Sequence, residues 1–394
     1  MQIEESNTTS TECWALFALG FRPFFLAAGF SAIALMVIWL VMQNSSSLIQ
    51  VYYPITSWHT HEMLFGYVVA VIAGFLLTAV RNWTDLPTAT GTVLLLMVLL
   101  WLSARILPLL SNVIPGVIIA IVDLSFLVGL TWSVAIRVLK RRQFSNMIFI
   151  LILLLMLFAN VLVHTEALSI THNTAGFGIY AMLFLVLMLI VVMGGRVIPF
   201  FAERGVLGLT TKKWKWIEWL AAPSIVFLGF SILFYEGMVT WIALAAMLIH
   251  LVRWVGWYSH TIWQEPLVWI LLLAYAWIIV GLGLVALAYG GYLNVMLAWH
   301  ALVVGGIGSI TLGMMTRVAL GHTGRVMSLP RGMVFGFVLI NITAVVRVFM
   351  PALYPEYHLL WINLSGALWI FTFLMFVVIY WPILSRARID GRPG

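Results

Sequence analysis

The chain has 394 residues, of which 63% are hydrophobic and only 8% are charged, with a formal net charge of +7. Soluble domains carry roughly 25% charged residues, so this composition excludes a soluble globular protein and predicts an integral membrane protein. The basic residues lie in short loops between apolar runs. Basic residues in such loops set the orientation of a membrane protein, so they do not indicate a nucleic-acid partner.

The N-terminal segment, residues 1–19, is polar and lacks the basic start and apolar core of a cleavable signal peptide. We therefore expect it to stay attached on the cytoplasmic side. It contains Cys13, the only cysteine, which excludes an intrachain disulfide or a cluster of thiolate ligands.

Apolar windows separated by breakers predict an all-α polytopic protein with about twelve transmembrane helices, forming one domain over residues 1–394. A very tight turn around Glu236 and Gly237 separates the seventh helix from the eighth. The predicted limits are 21–42, 60–80, 91–108, 116–138, 146–164, 175–195, 216–235, 238–256, 267–289, 292–316, 332–350 and 359–384.

Lys and Arg residues concentrate in alternate loops, after the fourth, sixth, tenth and twelfth helices. The loops at 43–57, 165–174, 290–291 and 351–358 contain none. By the positive-inside rule both termini are cytoplasmic, including the tail at 385–394. In a bacterial inner membrane the loops without Lys or Arg then face the periplasm.

The second, sixth and tenth helices resemble one another. Each carries an arginine at its predicted cytoplasmic end, and the second and tenth also begin with a Trp-His pair. The residues are Arg81, Arg196 and Arg317, with Trp58-His59 and Trp299-His300. This echo predicts three pseudo-repeats of four helices, with coincidence as the alternative.

The second helix opens with His59, His61 and Glu62, and ionisable groups there are costly to bury unless they bind or relay something. A helix rotates about 100° per residue, so the two histidines point to nearly opposite faces and suit two adjacent metal centres better than one. Glu62 is expected near the His59 face, as a catalytic proton relay. The alternative is that the two histidines only cap the helix at a solvated interface.

Four further histidines are candidate ligands, because a chain without a set of cysteines would hold a transition metal by imidazole. His300 lies about two turns into the tenth helix, and His164 ends the fifth. His250 is in the middle of the eighth helix, where a hydrogen bond across helices is the alternative. His322 is on the predicted cytoplasmic side, where a proton or water is the alternative. The remaining histidines are expected to be plain loop residues: His172, His260 and His358.

Several motifs resemble those of the NnrS family of bacterial membrane proteins, which is associated with the nitric oxide response and described as binding heme and copper. They are LGFRPFFL (19–26), WHTHEMLFG (58–66), AVIAGFLLTAV with NWT (70–84), GGRVIP (194–199), YAW (275–277) and MTRVALGHTGR (315–325). The family's recurring histidines fall on His59, His61, His164, His250, His300 and His322. One departure is Leu272, which stands where the family pattern has a histidine. Either that histidine is not essential, or this chain holds one metal differently.

The resemblance implies heme and copper but does not assign the histidines to either one. We expect His59 and His300 to hold heme, and His61 and His164 to hold the second metal, with His250 as a further candidate. Heme propionates would need guanidinium partners, for which the helix-end arginines are candidates. They are Arg196 and Arg317, whose alternative role is as positive-inside anchors.

The implied function is nitric oxide resistance, with reduction of nitric oxide by electrons from a quinol or a cytochrome. Nitric oxide is apolar and partitions into the lipid bilayer, so a site in the periplasmic half would meet it first. A non-catalytic nitric oxide sensor, a copper- or heme-handling protein and a secondary transporter are the alternatives. The oligomeric state is left open.

Overall fold

The computed structural model describes residues 15–44 and 51–392, and within these ranges the chain is helical with no β-strand. Twelve helices are long and apolar enough to cross a membrane, which confirms the predicted fold class. Cys13 and most of the predicted N-terminal segment lie outside the described residues. The helices are α1 (Phe21–Asn44), α2 (Ile55–Thr84), α3 (Gly91–Leu110), α4 (Gly116–Lys140), α5 (Phe144–Ala167), α6 (Ala175–Gly205), α7 (Lys215–Phe234), α8 (Glu236–Trp257), α9 (Pro266–Tyr289), α10 (Val295–His322), α11 (Arg331–Leu353) and α12 (Pro355–Ser385).

The helices differ in how much of their surface the bundle covers. The most apolar window of α2 is 83% buried and that of α10 is 67% buried, against 28% for α3 and α8. Helices that are apolar all round are expected either in a core or in contact with lipid. Helices α2 and α10 are therefore central, and α3 and α8 lie at the periphery with large apolar side chains facing outward.

Both central helices contain a π-helical segment that begins directly after a histidine. In α2 it covers Glu62–Val68, after His61, and in α10 it covers Ala301–Gly308, after His300. A π-helical turn is rare and is often found at functional sites. The shared distortion extends the similarity between α2 and α10. The three-repeat arrangement and the orientation of the termini stay predictions.

The first and the last of the described helices, α1 and α12, pack against each other. Arg22 near the start of α1 is fully buried. Its Nη1 donates hydrogen bonds to the carbonyl oxygens of Leu384, at 2.9 Å, and Arg386, at 2.7 Å. These carbonyls supply the partners that a charge inside a membrane protein requires.

Candidate metal and cofactor site

His59 and His61 lie on opposite sides of α2 and belong to two different environments. His61 is fully buried in a polar cluster with residues of α4 and α5. His59 lines a cavity that also contains His300 of α10. The helix rotates by about 100° per residue, so a spacing of two residues places the two side chains about 200° apart, as expected from the sequence.

The first environment is a buried group of two imidazoles and a carboxylate: His61, Asp123 and His164. One nitrogen or oxygen from each lies within 4.8 Å of the others, close enough for a single metal ion. Asp123 Oδ2 is 3.2 Å from His61 Nε2 and 3.0 Å from His164 Nε2. Imidazole and carboxylate ligands suit several divalent and transition metals. These three residues are therefore a possible metal-binding group.

Asn160 and Tyr53 complete the polar surroundings of His61. The amide Nδ2 of Asn160 donates to Asp123 Oδ2 at 2.9 Å, so its Oδ1 faces His61 Nε2, also at 2.9 Å. The Tyr53 hydroxyl is 3.3 Å from the same nitrogen and 3.4 Å from His164 Nε2. His61 Nε2 thus faces several oxygen atoms, an arrangement that a proton or a metal cation on that nitrogen stabilises.

Arg105 of α3 joins the two carboxylates of this cluster. Its Nη1 donates to Glu62 Oε2 at 2.9 Å, and its Nη2 forms an ion pair with Asp123. Glu62 Oε1 accepts from His61 Nδ1 at 3.2 Å. All four side chains are buried. With neutral histidines the two carboxylates and one guanidinium carry a net charge of −1, which one bound cation or proton would balance.

The expectation that Glu62 lies near the His59 face was wrong, because its carboxylate joins His61 and Arg105. Two features of the fold account for this. The helix widens into its π-helical segment at Glu62, which changes the rotation per residue from there onward. Arg105 also attracts the carboxylate to the opposite side of α2. Neither feature is visible in the spacing of the sequence.

Two tyrosines precede α2 and cover the cluster. Burial and the nearby charge of Asp123 raise the pKa of Tyr52 to about 12. The same two causes hold the pKa of Tyr53 well above its ordinary value. Both phenols therefore stay protonated at neutral pH and can donate hydrogen bonds to the cluster.

The second environment is a cavity of about 780 Å³, lined by α1, α2, α6, α10, α11 and α12. Small-molecule sites usually measure roughly 300–1,000 Å³. Its lining includes the exposed residues His358 and Pro355 near the start of α12 and, further along the same helix, the buried Trp369. Next to it, the hydroxyls of Tyr67 and Thr311 are 2.6 Å apart. The cavity therefore leads from the ends of the helices into the bundle.

His59 and His300 each leave a ring nitrogen available to a ligand in this cavity. His300 lies in the second turn of α10, and its Nδ1 donates to the carbonyl oxygen of Met296 at 2.6 Å. In a neutral ring Nε2 then carries the lone pair, which is the tautomer that metal-binding histidines usually adopt. His59 stacks on Trp39, with ring centroids 4.2 Å apart, and its buried Nδ1 has no hydrogen-bond partner among the described residues.

Among the described residues the cavity is lined by one arginine, and it is neither of the two predicted to bind a cofactor. Arg347 of α11 lines it together with His59 and His300. Arg196 instead contacts the ring of Phe149, 5.8 Å from its centroid, and Arg317 lies 3.9 Å from the centroid of Phe201. Along α10, Arg317 is 17 residues beyond His300, about 25 Å away at about 1.5 Å per residue.

His250 belongs to a separate buried cluster between α7, α8 and α9. Its Nδ1 is 2.6 Å from the Tyr275 hydroxyl, and its Nε2 is 3.3 Å from Ser224 Oγ. Arg253 Nη1 donates to the same Tyr275 hydroxyl at 2.8 Å, and its Nε donates to Glu218 at 2.9 Å. Both ring nitrogens of His250 therefore have protein partners. The structure does not bring it together with the other predicted ligands.

The remaining histidines are spread over the described part of the chain. His322 ends α10, with its ring 5.6 Å from that of Phe21, and its carbonyl oxygen accepts from Arg388. His172 and His260 are exposed, as expected of loop residues. His358 lies at the start of α12 and lines the cavity, so its description as a plain loop residue was wrong.

Several residues of the two environments were not singled out as ligands or partners. Asp123 and Arg347 interrupt apolar runs, and a charge in such a run normally indicates a partner or a site. Arg105, Asn160 and Tyr53 carry a weaker signal, because polar residues near predicted helix ends are common. Only the packing of α3 against α2 brings Arg105 to Glu62, and only that of α5 against α4 brings Asn160 to Asp123.

The fold and the site together define a polytopic helical membrane protein with a possible metal-binding group beside a histidine-lined cavity. Residues 15–388 match the sequence profile described as NnrS protein. The chain belongs to the NnrS family, as its motifs indicated. No curated protein matches the sequence.

Proposed function

We propose that this chain is a heme- and copper-binding protein of the bacterial inner membrane that protects against nitric oxide by reducing it. The observation that supports this best is the placement of two histidines of one helix, His59 and His61, in two adjacent environments. A heme beside a second metal needs such a separated pair. Family membership supports the link to nitric oxide.

The residues around the cavity fit a heme. Its volume of about 780 Å³ lies within the range of cofactor sites. His300 presents an Nε2 whose lone pair is fixed by the Nδ1 bond to Met296, and His59 has a buried ring nitrogen without a partner. Burying a polar atom without a hydrogen-bond partner destabilises the protein, and a ligand that binds to this atom removes the penalty. Either histidine could hold the heme iron.

The buried cluster fits copper. Copper accepts imidazole ligands readily, and His61 and His164 supply two, with Asp123 as a third, charged ligand. Glu62 would hold the His61 ring through Nδ1, the contact with an outer carboxylate that metal-binding histidines usually make. The net charge of −1 on the cluster favours a cation.

The proposed reaction combines two molecules of nitric oxide with two electrons and two protons, giving nitrous oxide and water. Bound heme iron and copper would supply the redox chemistry, and a quinol or cytochrome the electrons. The chain would orient both groups on either side of α2. Glu62 Oε1, which accepts from His61 Nδ1, would hold a proton on its way to the reacting oxygen. The apolar walls of the cavity would admit nitric oxide from the bilayer.

The test is an absorption spectrum of the purified protein before and after addition of nitric oxide, followed by nitric oxide consumption with an electron donor. We expect a Soret band that shifts on addition, and steady consumption. A shifting band without consumption would favour a sensor or a heme- and copper-handling protein. A colourless, folded protein would refute heme binding.

A secondary transporter is the second candidate, favoured by one observation. Transporters usually carry charge pairs within the membrane, and in the described residues Arg105 pairs with Glu62 and Asp123, and Arg253 with Glu218. The described helices α2 and α10 are distorted by π-helical turns but remain continuous. Substrate-dependent uptake by vesicles containing a colourless protein would support this candidate.

A further inference from the structure

Arg347 is a permanently charged side chain in an unusual position. It lies within α11, six residues before the helix ends at Leu353, and it lines the cavity. It has no hydrogen-bond or ion-pair partner among the described residues, whereas the arginines Arg22, Arg105 and Arg253 inside the bundle all have one. A guanidinium within a membrane-spanning helix is costly without a partner.

The other residues that line the cavity do not neutralise the charge of Arg347. None of the described residues that line it is an aspartate or a glutamate. The other polar groups are neutral hydroxyls and amides or histidines, such as Thr343, Asn294 and His358. The cavity thus combines one permanent positive charge with no negative charge of its own. Such a site favours an anionic ligand and disfavours a cationic one.

We propose that Arg347 binds a carboxylate of the molecule that occupies the cavity, which for a heme is a propionate. The proposal rests on the proposed function. A guanidinium is planar and presents a fork of donors that matches a carboxylate in a bidentate arrangement. Arg347 would fix the carboxylate edge of the ligand while His300 or His59 holds its centre. The role expected for Arg196 and Arg317 therefore belongs to Arg347.

The experiment compares two porphyrins that differ only in their carboxylates. Purified protein without bound heme is titrated with hemin and with hemin dimethyl ester, in detergent, and binding is followed by the Soret band and by tryptophan quenching. The variants are Arg347→Gln and, as a matched control outside the cavity, Arg317→Gln. Wild type and the control should bind the diacid about ten- to a hundredfold more tightly than the ester, because hydrogen bonds to charged groups contribute that much.

In Arg347→Gln the two affinities should differ by less than about threefold. Where that variant fails to fold, Arg347→Lys keeps the charge and loses the fork, so its preference for the diacid should fall between the two. Equal binding of both porphyrins by the wild type would overturn the role of Arg347 and leave heme binding intact. Binding of neither would overturn the proposed function itself.

A lipid phosphate could reach Arg347 from the mouth of the cavity and serve as the anion instead. The titration is therefore repeated in mixed micelles containing phosphatidylglycerol and in micelles containing only phosphatidylcholine. We expect the wild-type preference for the diacid to be the same in both. A preference abolished by the anionic lipid would overturn the proposal and assign Arg347 to the lipid headgroup.

Discussion

Arg105 should be essential for stability, because it is the only guanidinium that contacts Glu62 and Asp123 in the described structure. Replacing it by glutamine changes the charge of the buried cluster from −1 to −2. Removing one partner of a buried ion pair typically costs about 3–5 kcal/mol. We expect Arg105→Gln to be destabilised by about that amount, since both carboxylates would remain buried.

A double variant isolates charge from packing. Arg105→Gln combined with Glu62→Gln restores the net charge of −1, and the new amide can still accept from His61. We expect it to recover at least half of the lost free energy of unfolding, which is a coupling within the range seen for residues in one network. Arg331→Gln, at the exposed start of α11, is the control and should change stability by less than about 0.5 kcal/mol.

The assay is equilibrium unfolding by SDS in mixed micelles, followed by the fluorescence of the 19 tryptophans. The midpoints of wild type, both single glutamine variants, the double variant and the control are compared under the same conditions. Two results would refute the reasoning. One is an Arg105→Gln midpoint equal to that of the control, and the other is a double variant whose loss equals the sum of the two single losses.

Three further predictions concern the surroundings of the two sites. Glu62→Gln keeps an acceptor for His61 but removes the negative charge that raises the basicity of the ring, so it should weaken copper binding about 10- to 100-fold while heme content stays at the wild-type level. Competition with a copper chelator measures this, and unchanged copper affinity would contradict a role for the Glu62 charge. Copper affinity should rise as the pH rises, because protons compete for the imidazoles. Tyr52→Phe should leave this profile unchanged, because the pKa of Tyr52 is raised to about 12. Tyr275→Phe should lower the unfolding midpoint by the equivalent of about 1–3 kcal/mol, because it removes the hydroxyl between His250 and Arg253. The heme and copper contents should stay intact, and loss of either would show that the His250 cluster contributes to cofactor binding.

The sequence was sufficient for the number of helices and for the separation of His59 from His61. Long charge-free runs determine membrane spans, and the fixed rotation of a helix determines which residues share a face. The apolar windows also predicted the tight turn between α7 and α8. In the structure only Tyr235 separates these two helices.

Contacts between helices could not be predicted in this way. The pairing of Arg105 with Glu62 and Asp123 depends on how α3 and α4 pack against α2, and no periodicity in one chain specifies that. A single arginine in an apolar run, such as Arg347, does not reveal what its side chain faces. Arg196 and Arg317 were favoured because they recur at helix ends, a position that topology alone explains.

The most direct test of the account is the heme and copper content of the wild type and four alanine variants, by pyridine hemochrome and metal analysis. His59→Ala and His300→Ala should lower heme and keep copper, whereas His61→Ala and His164→Ala should lower copper and keep heme. This selective loss would show two separate centres on opposite faces of α2. Full heme in both His59→Ala and His300→Ala, or parallel loss of both metals in all four folded variants, would contradict it.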